Sequence, residues 1–123
     1  MCEGSGMNPA EMCERTMAFA LRVIRMAESL PKSPAARNVA GQVVRSACSV
    51  AANYRSAQRA KSRPDFANKI AIVLEEADET EFWIELAIRA QFLPETRLAE
   101  LKGEAGELVR IFSVMRRSAK KAD

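Results

Sequence analysis

The residues of this sequence that could carry acid-base or metal chemistry are carboxylates gathered in one short run. Glu75, Glu76, Asp78, Glu79, Glu81 and Glu85 crowd into a stretch whose only basic neighbour is Arg89. Paired carboxylates can serve as general acid and base, or hold a divalent cation. The sequence supplies no second kind of group to complete such a site. It contains no histidine, which excludes Ser-His-Asp and Cys-His nucleophilic systems, His metal sites and the Glu-x-x-His di-iron arrangement. Its three cysteines, Cys2, Cys13 and Cys48, form no Cys-x-x-Cys pair, so a zinc ribbon or a thioredoxin-type motif is excluded as well. Gly103 and Gly106 follow no strand pattern and so do not make a phosphate loop. The acids are expected to form an ion-pair surface. No enzymatic activity, cofactor, metal or small-molecule substrate is expected.

The cations suggest a different chemistry. Arg37, Arg45, Arg55 and Arg59 recur at helical spacing within about a quarter of one circumference, and Lys61, Arg63 and Lys69 continue the series. Residues 37–74 carry seven basic groups against Asp65 alone, and residues 75–95 carry seven acids against Arg89 alone. Guanidinium groups in a row can hold phosphates bidentately. They can equally pair with the acidic run that follows. Arg45 and Asn53 are expected to be structural for that reason. The clearest cations left for nucleic acid are Arg59, Lys61 and Arg63, together with Arg116, Arg117, Lys120 and Lys121 near the C-terminus.

These groups are positioned by elements that punctuation makes plain. Asn8-Pro9, Ser33-Pro34 and Ser62-Arg63-Pro64 are helix starts, each a capping side chain followed by proline in the first turn. Pro31, the break at Ser62–Pro64 and Phe92-Leu93-Pro94 separate the segments. The spacing predicts helices over 9–30, 34–61 and 64–91, with a fourth from 94 or 95. Steps of three and four place Met12, Thr16, Phe19, Ala20, Val23, Ile24, Ala27 and Leu30 on the first core stripe. Ala36, Ala40, Val43, Ala47, Val50, Ala51, Tyr54 and Gln58 form the second. Phe66, Ile70, Val73, Leu74, Ala77, Ile84 and Ile88 form the third, and Leu98, Leu101, Ala105, Leu108, Phe112 and Met115 the fourth. Cys48 reads as a small buried hydrophobe. Glu81 falls near the core side of its helix and is expected to make a structural polar contact.

The third helix is apolar on a second side. Ile72, Phe82, Trp83, Leu86 and Ala90 lie opposite its core stripe, and a lone bundle leaves them in water. Such a face is expected to contact another subunit. With 123 residues, 48% of them apolar, the chain suits one domain. Four helices joined by short links favour an all-α antiparallel up-down-up-down four-helix bundle over residues 8–118. Residues 1–7 are expected to form a flexible tail and 119–123 a frayed basic one. No charged-then-apolar leader opens the sequence, and no apolar run reaches the ~18–20 residues of a membrane span. A cytoplasmic protein with no membrane partner is expected.

The run Gln42-Val43-Val44-Arg45-Ser46-Ala47-Cys48-Ser49-Val50-Ala51-Ala52-Asn53 resembles a family signature of the form Q-x-x-R-(small)-x-x-S-(V/I)-x-x-N. The acidic, aromatic run from Phe66 to Leu86 is similar to the helix that follows it in that family. The family is the four-helix-bundle group that includes proteins encoded in intervening sequences of 23S ribosomal RNA genes. A more distant similarity is to the accessory variability determinant of diversity-generating retroelements. The resemblance covers about residues 12–117. It implies an antiparallel bundle assembled as a ring-like homopentamer, with no known catalytic activity. The retroelement relative implies binding of nucleic acid, and of a nucleic-acid-processing protein, through a basic surface. Two functions are therefore expected in competition: an oligomeric RNA-binding accessory factor, or a protein-interaction scaffold that touches no nucleic acid.

Overall fold

The computed structural model describes residues 7–121. Four α-helices account for nearly all of them, and no strand occurs among the described residues. The helices are α1 (Pro9–Glu28), α2 (Pro34–Ala57), α3 (Arg63–Arg89) and α4 (Glu95–Lys121). The first three start as their sequences dictate. The Asn8 side chain accepts from the Glu11 N–H at 2.8 Å while the Glu11 carboxylate accepts from the Asn8 N–H at 3.0 Å, a reciprocal capping box. Ser33 and Ser62 accept from Ala36 N–H and Asp65 N–H, satisfying donors that have no partner inside the helix.

The helices form a bundle in which α3 packs extensively against α2 and α4, α1 packs on α2, and α1 meets α4 only sparsely. Met12, Phe19, Val23, Val43, Val50, Ile70, Val73, Ile84, Leu108 and Phe112 are fully enclosed. Across the core the rings of Tyr54 on α2 and Phe112 on α4 approach to 5.6 Å. Two buried hydroxyls join α2 to α3. Thr80 Oγ1 lies 2.8 Å from Ser46 Oγ and 2.7 Å from the Glu76 carbonyl, and Ser46 Oγ lies 3.2 Å from the Val43 carbonyl.

Several boundaries differ from the sequence expectation. Helix α2 ends at Ala57 rather than Lys61, because the chain tightens into i→i+3 bonds at Gln58, Arg59 and Ala60. Helix α3 ends at Arg89 rather than Gln91. Gln91 adopts a left-handed φ of 60°, and the Phe92 and Gln91 N–H groups donate to the Ala87 and Ile88 carbonyls. This is a Schellman closure, which glycine usually fills. Helix α4 runs through Lys121 with Ala119 buried, past the expected end at 118. Of the expected N-terminal tail, residues 1–6 lie outside the described residues. Met7 is half-buried against the core, and its sulfur accepts from Arg15 at 3.6 Å. Residues 122 and 123 of the basic tail also lie outside the described residues.

Cys48 corrects the reading from sequence. It is exposed, not buried, because the core side of α2 at this level is taken by Ser46, Ala47 and Val50. Gln58, placed on the core stripe from sequence, is exposed beyond the end of its helix.

Candidate assembly face and basic end

The outer side of α3 carries both of its expected features, carboxylates and apolar groups. Phe82 is 56% exposed, Ile72 42% and Leu86 36%. Ala90 is exposed beside them, and Trp83 is half-buried. The Phe82 and Trp83 rings meet edge to face with centroids 5.0 Å apart. Trp83 packs partly against the core, and the more exposed Phe82 stands against its ring. Trp83 is fixed by its indole N–H, which donates to Glu79 Oε2 at 3.1 Å.

Glu79 also anchors Arg45. The Arg45 guanidinium reaches Glu79 at 2.6 Å and Glu76 at 3.1 Å, so one cation of α2 bridges two acids a turn apart on α3. These bonds raise the Arg45 pKa further above its ordinary value. The Glu79 carboxyl is held below the usual carboxylate range, first by the Trp83 N–H and then by Arg45. Part of the acidic run is thus spent on internal pairing. Arg89 takes Glu85 at 2.6 Å on the same helix. Among the described residues, no group of three or more carboxylates and thiols is arranged to hold a metal ion.

Asn53 donates to the Ser49 carbonyl at 2.9 Å and to Ser49 Oγ at 2.8 Å, one turn back along α2. Glu81 is half-buried and turns toward α4 rather than α2. Its Oε2 would lie 3.1 Å from a Cβ at Gly106, so the missing side chain of Gly106 makes its room. Among the described residues Glu81 has neither an ion-pair nor a hydrogen-bond partner.

The basic candidates divide between the turn after α2 and the last turns of α4. Arg59, Lys61, Arg63, Arg117, Lys120 and Lys121 are exposed and Arg116 is half-buried. None of the seven side chains makes an ion pair among the described residues. The one acid beside the turn, Asp65, is already engaged. It accepts from the Lys61 backbone N–H at 3.0 Å and from Lys69 Nζ at 2.9 Å. Those bonds, the Lys61 N–H first, hold its carboxyl below the usual range. The Tyr54–Phe112 contact brings the last turns of α2 beside the C-terminal half of α4. Arg116 follows Phe112 by one turn, so both clusters belong to that end of the bundle.

Sequence reasoning missed a clasp between α1 and α4. Arg15 donates to both oxygens of Glu104, at 2.7 and 2.8 Å, and also lies 3.7 Å from Glu107. The Glu104 bond raises the Arg15 pKa. The partners are 89 positions apart, and no local pattern links them. Helix α1 also exposes two large apolar side chains, Met17 at 47% and Leu21 at 45%.

No helix among the described residues is long and apolar enough to cross a membrane. A model of the 23S rRNA-intervening sequence protein family matches residues 9–114. Among curated proteins, none matches the chain. A crystal structure of a Bacteroides thetaiotaomicron protein superposes with a TM-score of 0.81 at 30% identity, covering 90% of this chain and 99% of that one. That protein is described as one of unknown function from the S23 ribosomal protein family. The match spans all four helices and nearly the whole described bundle, and on that ground the chain belongs to the family of 23S rRNA-intervening sequence proteins.

Proposed function

We propose that this protein is a non-enzymatic, cytoplasmic accessory factor that binds structured RNA as an oligomer. Its helices run antiparallel, up-down-up-down, and copies join through the outer face of α3 in a ring of five. The antiparallel order is supported by paired positions. Arg15, early in α1, meets Glu104 in mid-α4, while Ser29, just past α1, meets Arg97 at the start of α4. Support for an oligomer comes from the exposed Ile72, Phe82 and Leu86, and the number five rests on the family resemblance.

The observation that carries RNA binding is the set of seven unpaired cations at one end: Arg59, Lys61, Arg63, Arg116, Arg117, Lys120 and Lys121. Repetition of that end around a ring multiplies weak contacts by effective concentration. Recognition is then electrostatic and tolerant of sequence, because no aromatic side chain is interleaved among the cations to stack on bases. The test is an anisotropy titration with a structured RNA across a salt series. Affinity falls with a log-log slope of about −0.7 to −0.9 per phosphate neutralised. Replacing Arg116, Arg117, Lys120 and Lys121 by Ala flattens the slope and leaves the helical signal unchanged. The apolar α3 face favours a second reading, a protein-interaction scaffold. Absence of RNA binding at ~50 mM salt, or binding indifferent to salt, decides for that scaffold.

A further inference from the structure

At the opposite end of α4 from the basic cluster, a cleft of about 260 Å³ opens between the last turns of α1 and the first turns of α4. It lies where these two helices pack together only sparsely. Arg22 and Arg25 enter it from α1, and Arg97 from the first turn of α4. Arg97 is held by a 3.4 Å hydrogen bond to Ser29 Oγ. The floor is apolar and includes the buried Met26 and Leu101.

No ion pair among the described residues involves Arg22, Arg25 or Arg97. The one acid lining the cleft, Glu100, is unpaired too. Three guanidinium groups and one carboxylate leave the cleft with two uncompensated positive charges. A helix C-terminus favours a cation, which accounts for Arg25 in the last turn of α1. It does not account for Arg97, at the start of α4, or for all three lining one cleft.

We infer that this cleft binds a small organic phosphate monoester, with the phosphate among Arg22, Arg25 and Arg97 and an apolar body on the Met26–Leu101 floor. A phosphate monoester carries up to two negative charges and three terminal oxygens. Planar guanidinium groups grip such oxygens in pairs. The apolar floor adds nothing for inorganic phosphate but rewards an attached hydrocarbon group. The volume lies just under the ~300–1,000 Å³ of pockets for drug-sized ligands, which limits the ligand to one small group beside the phosphate. The site is separate from the RNA-binding end, and its variants leave that end untouched.

The experiment titrates phenyl phosphate, inorganic phosphate and phenol into the full chain, by calorimetry and by amide chemical shifts. Phenyl phosphate binds at least tenfold more tightly than inorganic phosphate, phenol does not bind, and the shifts centre on residues 22–29 and 93–101. Arg22→Gln and Arg97→Gln each weaken phenyl phosphate tenfold or more without lowering the melting temperature, while Arg110→Gln, at an arginine paired with Glu107 outside the cleft, leaves that affinity unchanged. Equal affinity for phenyl phosphate and inorganic phosphate overturns the proposal. So do shifts centred elsewhere, or indifference to both arginine variants. A 5′-phosphorylated RNA trinucleotide that competes as well as free phenyl phosphate moves the site to an RNA end and overturns the small-molecule assignment.

Discussion

Arg45, Glu76, Glu79, Trp83, Ser46 and Thr80 make the α2–α3 seam a polar one at both its rim and its interior. The interior pair is the sharper test of hydrogen-bond energetics. Thr80 and Ser46 are fully buried, and between them their two protons must serve each other and the carbonyls of Glu76 and Val43. Removing either hydroxyl breaks the same bond between the helices while the other keeps its carbonyl, so the second removal adds little. Thr80→Val and Ser46→Ala are each expected to destabilise by ~1 kcal/mol, and the double variant by ~1 rather than ~2 kcal/mol. Urea denaturation of the four proteins gives the cycle directly. At the rim, the lowered pKa of Glu79 sets a pH signature. Its ordinary value is 4.5, and the Trp83 and Arg45 bonds depress it in the folded protein. The unfolded chain therefore takes up a proton first as pH falls. The stabilisation is complete above about pH 5 and is lost as pH falls through the depressed folded value. Glu79→Gln is expected to give a shallower loss of melting temperature between about pH 5 and 3 than the wild type, with the curves converging at the acid end. Arg45→Ala is expected to lower the melting temperature while leaving RNA affinity and its salt slope unchanged, since its guanidinium is already committed to two carboxylates.

Helix starts were legible because their signal is local: a capping side chain, a proline and the next turn lie within four residues. Asn8, Ser33 and Ser62 needed nothing from the rest of the chain. Helix ends were less legible, because closure depends on which conformation the linker adopts. Nothing in Gln91 announces a left-handed residue, yet the Ala90–Phe92 closure demands one. Core stripes followed from periodicity, whereas Cys48 and Gln58 show its limit, since period fixes a face but not where a helix stops or how broad its buried sector is. The unpaired cations of the basic end were named from sequence. The Arg15–Glu104 clasp and the Arg22–Arg25–Arg97 cleft were not, because packing alone brings α1 to α4. Gln91 yields the prediction at this scale. A non-glycine residue in the left-handed region carries ~1–2 kcal/mol of strain, part of which glycine gives back through greater unfolded-state freedom. Gln91→Gly is expected to stabilise by ~0.5–1 kcal/mol, whereas Gln91→Ala, which keeps the Cβ, is not. Thermal melts of the two variants separate strain from side-chain loss.

For the molecule as a whole, the central question is what covers the outer face of α3. Phe82 and Leu86 contribute little to the single bundle, since water already reaches much of each side chain. Replacement of an exposed residue typically changes folding stability by no more than ~0.5 kcal/mol. The same side chains in a subunit contact would lose their water on assembly, and a carboxylate placed there would be buried without a partner. Folding and assembly should therefore respond oppositely to substitutions on the two sides of the helix bundle. Phe82→Glu and Leu86→Glu are expected to keep the wild-type helical signal while light scattering falls toward the monomer mass of 13.6 kDa. Trp83→Glu is a less clean probe, because it also removes the indole donor to Glu79. Phe112→Ala, deep in the core, is expected to cost ~3–5 kcal/mol in stability whatever the mass. On the proposed ring, RNA affinity is expected to follow the assembly variants and not the core one at temperatures where both are folded, because repetition would concentrate the seven cations of each copy. A wild type that scatters as a monomer, with RNA affinity unchanged by Phe82→Glu, would leave the basic end acting alone and remove the ring from the mechanism.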